Sequence, residues 1–196
     1  MACGRILEGW AIVNQGETER GIEIIGAGVS AWRGAGAGLW LPLFLTLLAE
    51  AMAKAGGNEA ALAVIDQAMA IAEQMGERWC MAEILRTKAR LLSQTDRATD
   101  QVEILLANSL DIARRQEARC WELRAACDLA SLWRDTGRPK EAHLLLRSIY
   151  SQFTEGFESA DLRHAKSILD DLETGLNPRK KRALPLQHSP RQQGSN

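Results

Sequence analysis

Catalysis or metal binding in this chain would have to come from a short roster of side chains. Its four cysteines, Cys3, Cys80, Cys120 and Cys127, form no C-x-x-C pair, and no histidine stands at ligand spacing beside them. A structural zinc site asks for such pairs, because four donors must converge on one ion. The cysteines therefore read as small apolar side chains in a reducing compartment. His143, His164 and His188 are scattered, and the sequence places no nucleophile or orienting partner beside any of them. Asp170 and Asp171 are adjacent, so on a helix they point about 100° apart and read as a solvated face. No catalytic group, cofactor or metal is expected.

One motif imitates a ligand site. In IIGAGVSAW, Gly26, Gly28 and Ala31 satisfy G-x-G-x-x-A, and Glu50 follows about 20 residues on. In a dinucleotide-binding fold those glycines follow a strand, so that backbone N–H groups at a helix start face the phosphates. Here they follow residues 17–21, which come after a turn and begin a helix. Two readings stay open: a nucleotide-binding regulator built on residues 26–31, and a helix thinned to pack closely on its neighbour. The six tryptophans also offer stacking surface. Trp40, Trp79 and Trp121 recur at steps of 39 and 42, and a position that recurs once per unit is expected in the core between repeats.

The elements that would position these residues are set by an internal repeat. Gly9, Ala49, Ala89 and Ala130 stand 40, 40 and 41 apart. Ile12, Met52, Leu92 and Trp133 follow three residues later in each unit. A second small row is Gly21, Ala61, Val102 and Ala142; large residues follow at Ile25, Ile65, Leu106 and Leu146, then Gly28, Ala68, Ser109 and Ile149. Small residues let two antiparallel helices approach, and large ones a turn away fill the space beside them. Each unit thus reads as helix A, a turn and helix B, with turns at Gly16, at Gly56-Gly57 and at Gly137-Arg138-Pro139. The spacing predicts helices over 3–15, 18–33, 41–55, 58–75, 79–93, 99–116, 119–136 and 139–153, closed by a ninth over 161–174. A single pair cannot bury its apolar faces, so the units must stack.

Composition agrees. Aromatics are 5% and charged residues 25%, with Ala, Leu, Glu, Arg and Gln abundant, which favours helix over strand. The formal net charge of -1 divides unevenly, since Arg179, Lys180, Lys181, Arg182 and Arg191 stand in the last 21 residues without an acid. Residues 1–175 are read as the repeat domain and 176–196 as a disordered basic tail. The body is not a uniformly basic nucleic-acid binder. The longest apolar run, Leu39 to Ala49, is too short for a membrane span, no leader is recognisable, and a cytoplasmic chain is expected.

The rows match the tetratricopeptide pattern: Leu45, Leu48, Ala49, Met52, Ala61, Ile65 and Ala68 fall on its signature positions, although the period is longer than usual. The expected fold is an all-α, right-handed α-solenoid of four helix pairs with a C-terminal capping helix. Further, GWAIVNQGE (9–17), GERWCMAEILRTKARLL (76–92), LDIARRQEARCWELRAACDLASLWRDTGR (110–138) and YSQFTEGFESADLRHAKSILDDL (150–172) resemble one group of helical tails. These are the tetratricopeptide C-terminal regions of bacterial multidomain class III adenylate/guanylate cyclases and related ATPase-type transcriptional regulators. That resemblance implies a regulatory scaffold, with the cyclase or ATPase domain of a parent protein as a partner. No G-x-x-x-x-G-K-[ST] phosphate loop occurs in the chain.

The tetratricopeptide likeness also implies a concave groove lined by the A helices. Its positions, carried over unit by unit, include Ile6, Trp10, Leu43, Glu50, Arg86, Arg90, Arg124, Ser131 and Arg134. The arginines suggest a protein or peptide partner bearing an acidic segment. Against that, Glu83, Glu122 and Asp135 would neutralise them. A self-associating structural array is the third alternative.

Overall fold

A computed structural model of the chain describes residues 2–95 and 99–176. These form nine helices: α1 (Ala2–Asn14), α2 (Thr18–Gly34), α3 (Leu41–Lys54), α4 (Asn58–Met75), α5 (Met81–Ser93), α6 (Thr99–Arg115), α7 (Arg119–Asp135), α8 (Pro139–Tyr150) and α9 (Ala160–Leu176). Each expected helix is present with ends displaced by three residues or fewer. Leu176 ends α9, and the rest of the basic tail, 177–196, lies outside the described residues. Among the described residues, no helix is long and apolar enough to cross a membrane.

The repeating rows are the core. Ala49, Ala89 and Ala130 are fully buried, as are Ile25, Ile65 and Leu146. The small positions fix how closely each pair approaches. In the first pair a Cβ on Gly21 would run into Val13 and lie 2.7 Å from the Gly9 carbonyl oxygen, while one on Gly28 would lie 2.6 Å from Ile6. In the third pair Ser109 is buried and donates from Oγ to the Ala82 carbonyl at 2.7 Å, so its hydroxyl is satisfied in a small slot. Turns between helices need a left-handed residue, and glycine supplies it at Gly16, Gly56 and Gly137 within pairs and at Gly36, Gly76 and Gly156 between them. Glu117 fills the corresponding place between the third and fourth pairs at φ 54°.

Successive pairs stack so that A helices touch A helices, α1 on α3, α3 on α5, α5 on α7 and α7 on α9. No comparable contact joins successive B helices among the described residues. An array joined more closely on its A side bends towards that side, so the A helices line the concave face. The ninth helix packs on both α7 and α8 and takes the place of a fifth A helix.

One open reading is decided and one expectation changes. The Gly26-x-Gly28-x-x-Ala31 motif is the middle of α2, with no strand before it, and Gly28 is spent on contact with Ile6; the helix-packing reading is the one the fold adopts. Two of the three recurring tryptophans are not in the core: Trp40 is 45% and Trp79 38% exposed, because they sit at the A-helix starts, on the edge of the stack, whereas Trp121 is half-buried and packs against the core.

Candidate binding groove

The concave face holds a groove of about 390 Å³ drawn from five A helices, with Trp10 on α1, Glu50 on α3, Arg86 on α5, Asp128 on α7 and Asp161 on α9 among its walls. Arg86 lies at its floor. The register row Ile6, Thr46, Arg86 and Cys127 points inward in every unit, with exposures of 0%, 1%, 6% and 3%. Ile6 therefore does not line the groove: it is a core residue, and the third unit alone places a cation in this row. That cation is held by three carboxylates. Nε and Nη2 of Arg86 donate to Glu83 at 2.8 and 2.7 Å, Nη1 to Asp128 at 2.9 Å, and Nη2 to Glu50 at 3.2 Å. Arg124 donates to Asp161 at 2.8 Å and to Glu83 at 3.2 Å, which extends the network to the ninth helix.

Burial and pairing compete at each site. Burial pushes the Glu50 carboxyl above the ordinary carboxylate range, and Arg86 only partly opposes it. Burial also acts to raise Glu83, but hydrogen bonds and charge attraction from Arg86 and Arg124 outweigh it and hold the group below its usual value. Burial would lower Arg86, yet the Glu83, Asp128 and Glu50 carboxylates more than offset this, so it stays charged. Cys127, also in the wall, has its thiol pushed up to about 12, by burial first and then by Asp128. It is a thiol at neutral pH and not a nucleophile.

At the rim the balance differs. Lys54 is exposed, donates to Asn14 Oδ1 at 2.8 Å and stands 5.0 Å over the Trp10 ring. Arg90 is half exposed, and its closest carboxylate contact is 3.9 Å to Glu50. These are cations whose donors are not used up by acids.

Of the expected residues, Trp10, Glu50, Arg86, Arg90 and Arg124 come together in the groove. Leu43 is half-buried against the core, and Ser131 and Arg134 lie farther along α7, outside the groove. Arg134 pairs with Asp135 at 2.9 Å, and Glu122 turns away to Arg114 at 2.8 Å. Asp128, Asp161 and His164 complete the lining. The repeat rows gave no signal for the last two, because α9 carries none of the row residues.

No family model matches the chain. Over 133 residues it is 29% identical to an uncharacterized protein of Rhizobium meliloti (strain 1021), a stretch covering 68% of this chain and 13% of that protein. The chain thus spans a small part of the length of the curated relative it matches. Among solved structures, a Podosopora anserina kinesin light chain with nearly identical TPR-like repeats superposes with a TM-score of 0.66 at 16% identity, covering 91% of this chain and 88% of that one. BtubC (BKLC) from P. vanneervenii gives 0.56 at 15% identity, over 100% of this chain and 94% of that one. At these identities the likeness speaks for the backbone, and the fold of this chain is that of a tetratricopeptide-like helical repeat.

Proposed function

We propose that the chain is a protein-interaction module whose concave groove holds an acidic segment of a partner, and that it acts by binding and not by catalysis. The observation that carries this reading is the division of the groove into a floor whose two arginines are engaged by four carboxylates and a rim whose Lys54 and Arg90 make no carboxylate hydrogen bond among the described residues. Arg86 is engaged at Nε, Nη1 and Nη2 by Glu83, Asp128 and Glu50, and Arg124 is tied at Nε and Nη1 by Asp161 and Glu83, so both are turned first to the groove's own acids. Lys54 and Arg90 at the rim keep donors available to a carboxylate from outside.

The resemblance of the quoted stretches to cyclase- and ATPase-type regulators, and the far greater length of the Rhizobium meliloti relative, support a place as the regulatory arm of a longer signalling protein. In that arrangement the partner is the catalytic or ATPase domain of the same protein. A cytoplasmic location accords with four cysteines that are all unpaired thiols.

The test uses the full chain and a Lys54→Glu/Arg90→Glu double variant, each immobilised and offered the candidate parent domains and lysate. Loss of an acid-bearing partner from the double variant, with circular dichroism unchanged, supports the reading. Equal capture by both, or crosslinking of the partner to the convex positions Ile104 and Leu144 instead, overturns it.

A further inference from the structure

The edge of the stack carries a second surface that shares no residue with the groove. Trp40, Trp79 and Trp121 form a ladder with ring centroids 6.3 and 5.8 Å apart. The lower two rings are stacked at 26°, while Trp40 and Trp79 are tilted 59° and do not cover each other's faces. Leu39 and Met75 are also exposed here, at 62% and 49%. A Cβ on Gly38 would meet Met75, which places Met75 beside the turn that leads into Trp40.

Beneath the patch lies Glu77, only 9% exposed. Its Oε1 accepts from the Trp40 backbone N–H and from Trp79 Nε1–H, both at 2.7 Å. Those bonds explain one oxygen: they pin Trp40, a bulky residue at φ 68°, in its left-handed conformation. The other oxygen, Oε2, is buried with no hydrogen-bond partner among the described residues. Nor does a lysine or arginine pair with Glu77 among them.

A buried carboxylate with a free oxygen and no counter-charge is expensive, and the group that relieves it is a cation with an N–H to donate. Exposed indole faces attract the same kind of group through the ring quadrupole. A guanidinium meets both needs, since its flat face stacks on an aromatic ring while its in-plane N–H groups remain free for a carboxylate. We propose that the Trp40–Trp79 edge with Glu77 binds an arginine side chain presented by a segment of a partner protein. Charge complementarity chooses this occupant over an acidic or purely apolar one. Because Oε2 is closed to solvent, entry of the arginine shifts a neighbouring indole, and that shift is the observable.

The full chain is labelled with ¹⁵N and its tryptophan indole N–H signals are followed by NMR. The probes are an acetylated glycine–serine pentapeptide with a central arginine and the same peptide with citrulline, whose urea has nearly the same shape without the charge. The Trp79 and Trp40 signals move with the arginine peptide, and affinity for the citrulline peptide is roughly tenfold weaker or worse. Glu77→Gln keeps an acceptor for Trp40 and Trp79 and removes the charge, so it loses a similar factor. Where that variant fails to fold, Trp40→Leu leaves Glu77 in place and loses the response through the missing ring. Equal response to citrulline, undiminished binding by folded Glu77→Gln, no response at about 10 mM arginine peptide, or an equally strong response to tetramethylammonium overturns the proposal.

Discussion

Replacing Arg86 with leucine keeps helix propensity and apolar contact but removes the charge at the groove floor. The side chain it replaces is 8% exposed and makes four hydrogen bonds to three carboxylates. The loss is unevenly shared. Asp128, at 22% exposure, can turn to water, whereas Glu83 at 8% keeps only Arg124 and Glu50 at 14% keeps Thr87 and a distant Arg90. Stranding buried carboxylates in this way costs about 3–5 kcal/mol. At roughly 2–4 °C per kcal/mol for a chain of this size, the melting temperature falls by about 6–20 °C.

The cost must also depend on pH. In the wild type, Glu83 is held below its unfolded value, so the stability it contributes is present above that value and is lost as pH falls. In the variant, burial remains without Arg86, both Glu83 and Glu50 move upward, and their charge destabilises the fold at neutral pH. Both effects shrink on acidification. Urea titrations followed by circular dichroism should therefore show the widest gap near pH 7.5 and a narrower one near about pH 4.5. A cost below about 1 kcal/mol at neutral pH, or one that ignores pH, would refute the picture of a guanidinium that holds buried charges in place.

Other outcomes follow from single sites. Glu50→Gln keeps the acceptor for Arg86 and Thr87 but cannot ionise; because burial raises the Glu50 carboxyl, melting should rise relative to wild type at about pH 8 and match it near pH 4. Within one motif, Gly26→Ala meets open space and should stabilise by about 0.5–1 kcal/mol, whereas Gly28→Ala collides with Ile6 and should cost about 1–3 kcal/mol; equal effects in thermal denaturation would contradict the packing. Glu117→Gly relieves a left-handed glutamate where three other turns use glycine, and a gain of about 0.5–1 kcal/mol in urea titration is expected.

Helix pairs were legible in the sequence because packing repeats with the chain. Ala49, Ala89 and Ala130 must be small for the same reason in each unit, so their spacing exposes the architecture. The groove was legible in part: register alone brings Trp10, Glu50, Arg86, Arg90 and Arg124 to one face. What register cannot give is which charges cancel. Arg86 meets Glu50 from 36 residues before and Asp128 from 42 after, across helices of different units, and such pairs depend on side-chain torsions. Ile6 and Arg86 share a row, yet one is sealed under Gly28 and the other reaches the groove, because a long stem can carry a charge out of a buried position. The exposed tryptophans were misread because recurrence marks a repeated place, which need not be an interior one.

Arg86 has one more consequence, which concerns how the stack comes apart. In a linear array each unit grips only its neighbours, so an end unit can peel away while the rest stands. Here a single guanidinium reaches from α5 to both α3 and α7, so units two, three and four are tied by one fastening. Peeling that begins at α1 and α2 meets this fastening at the very next step. The array should yield under load as a loose first leaf and then one thick block, and the spring-like give of a uniform solenoid would be confined to its first joint.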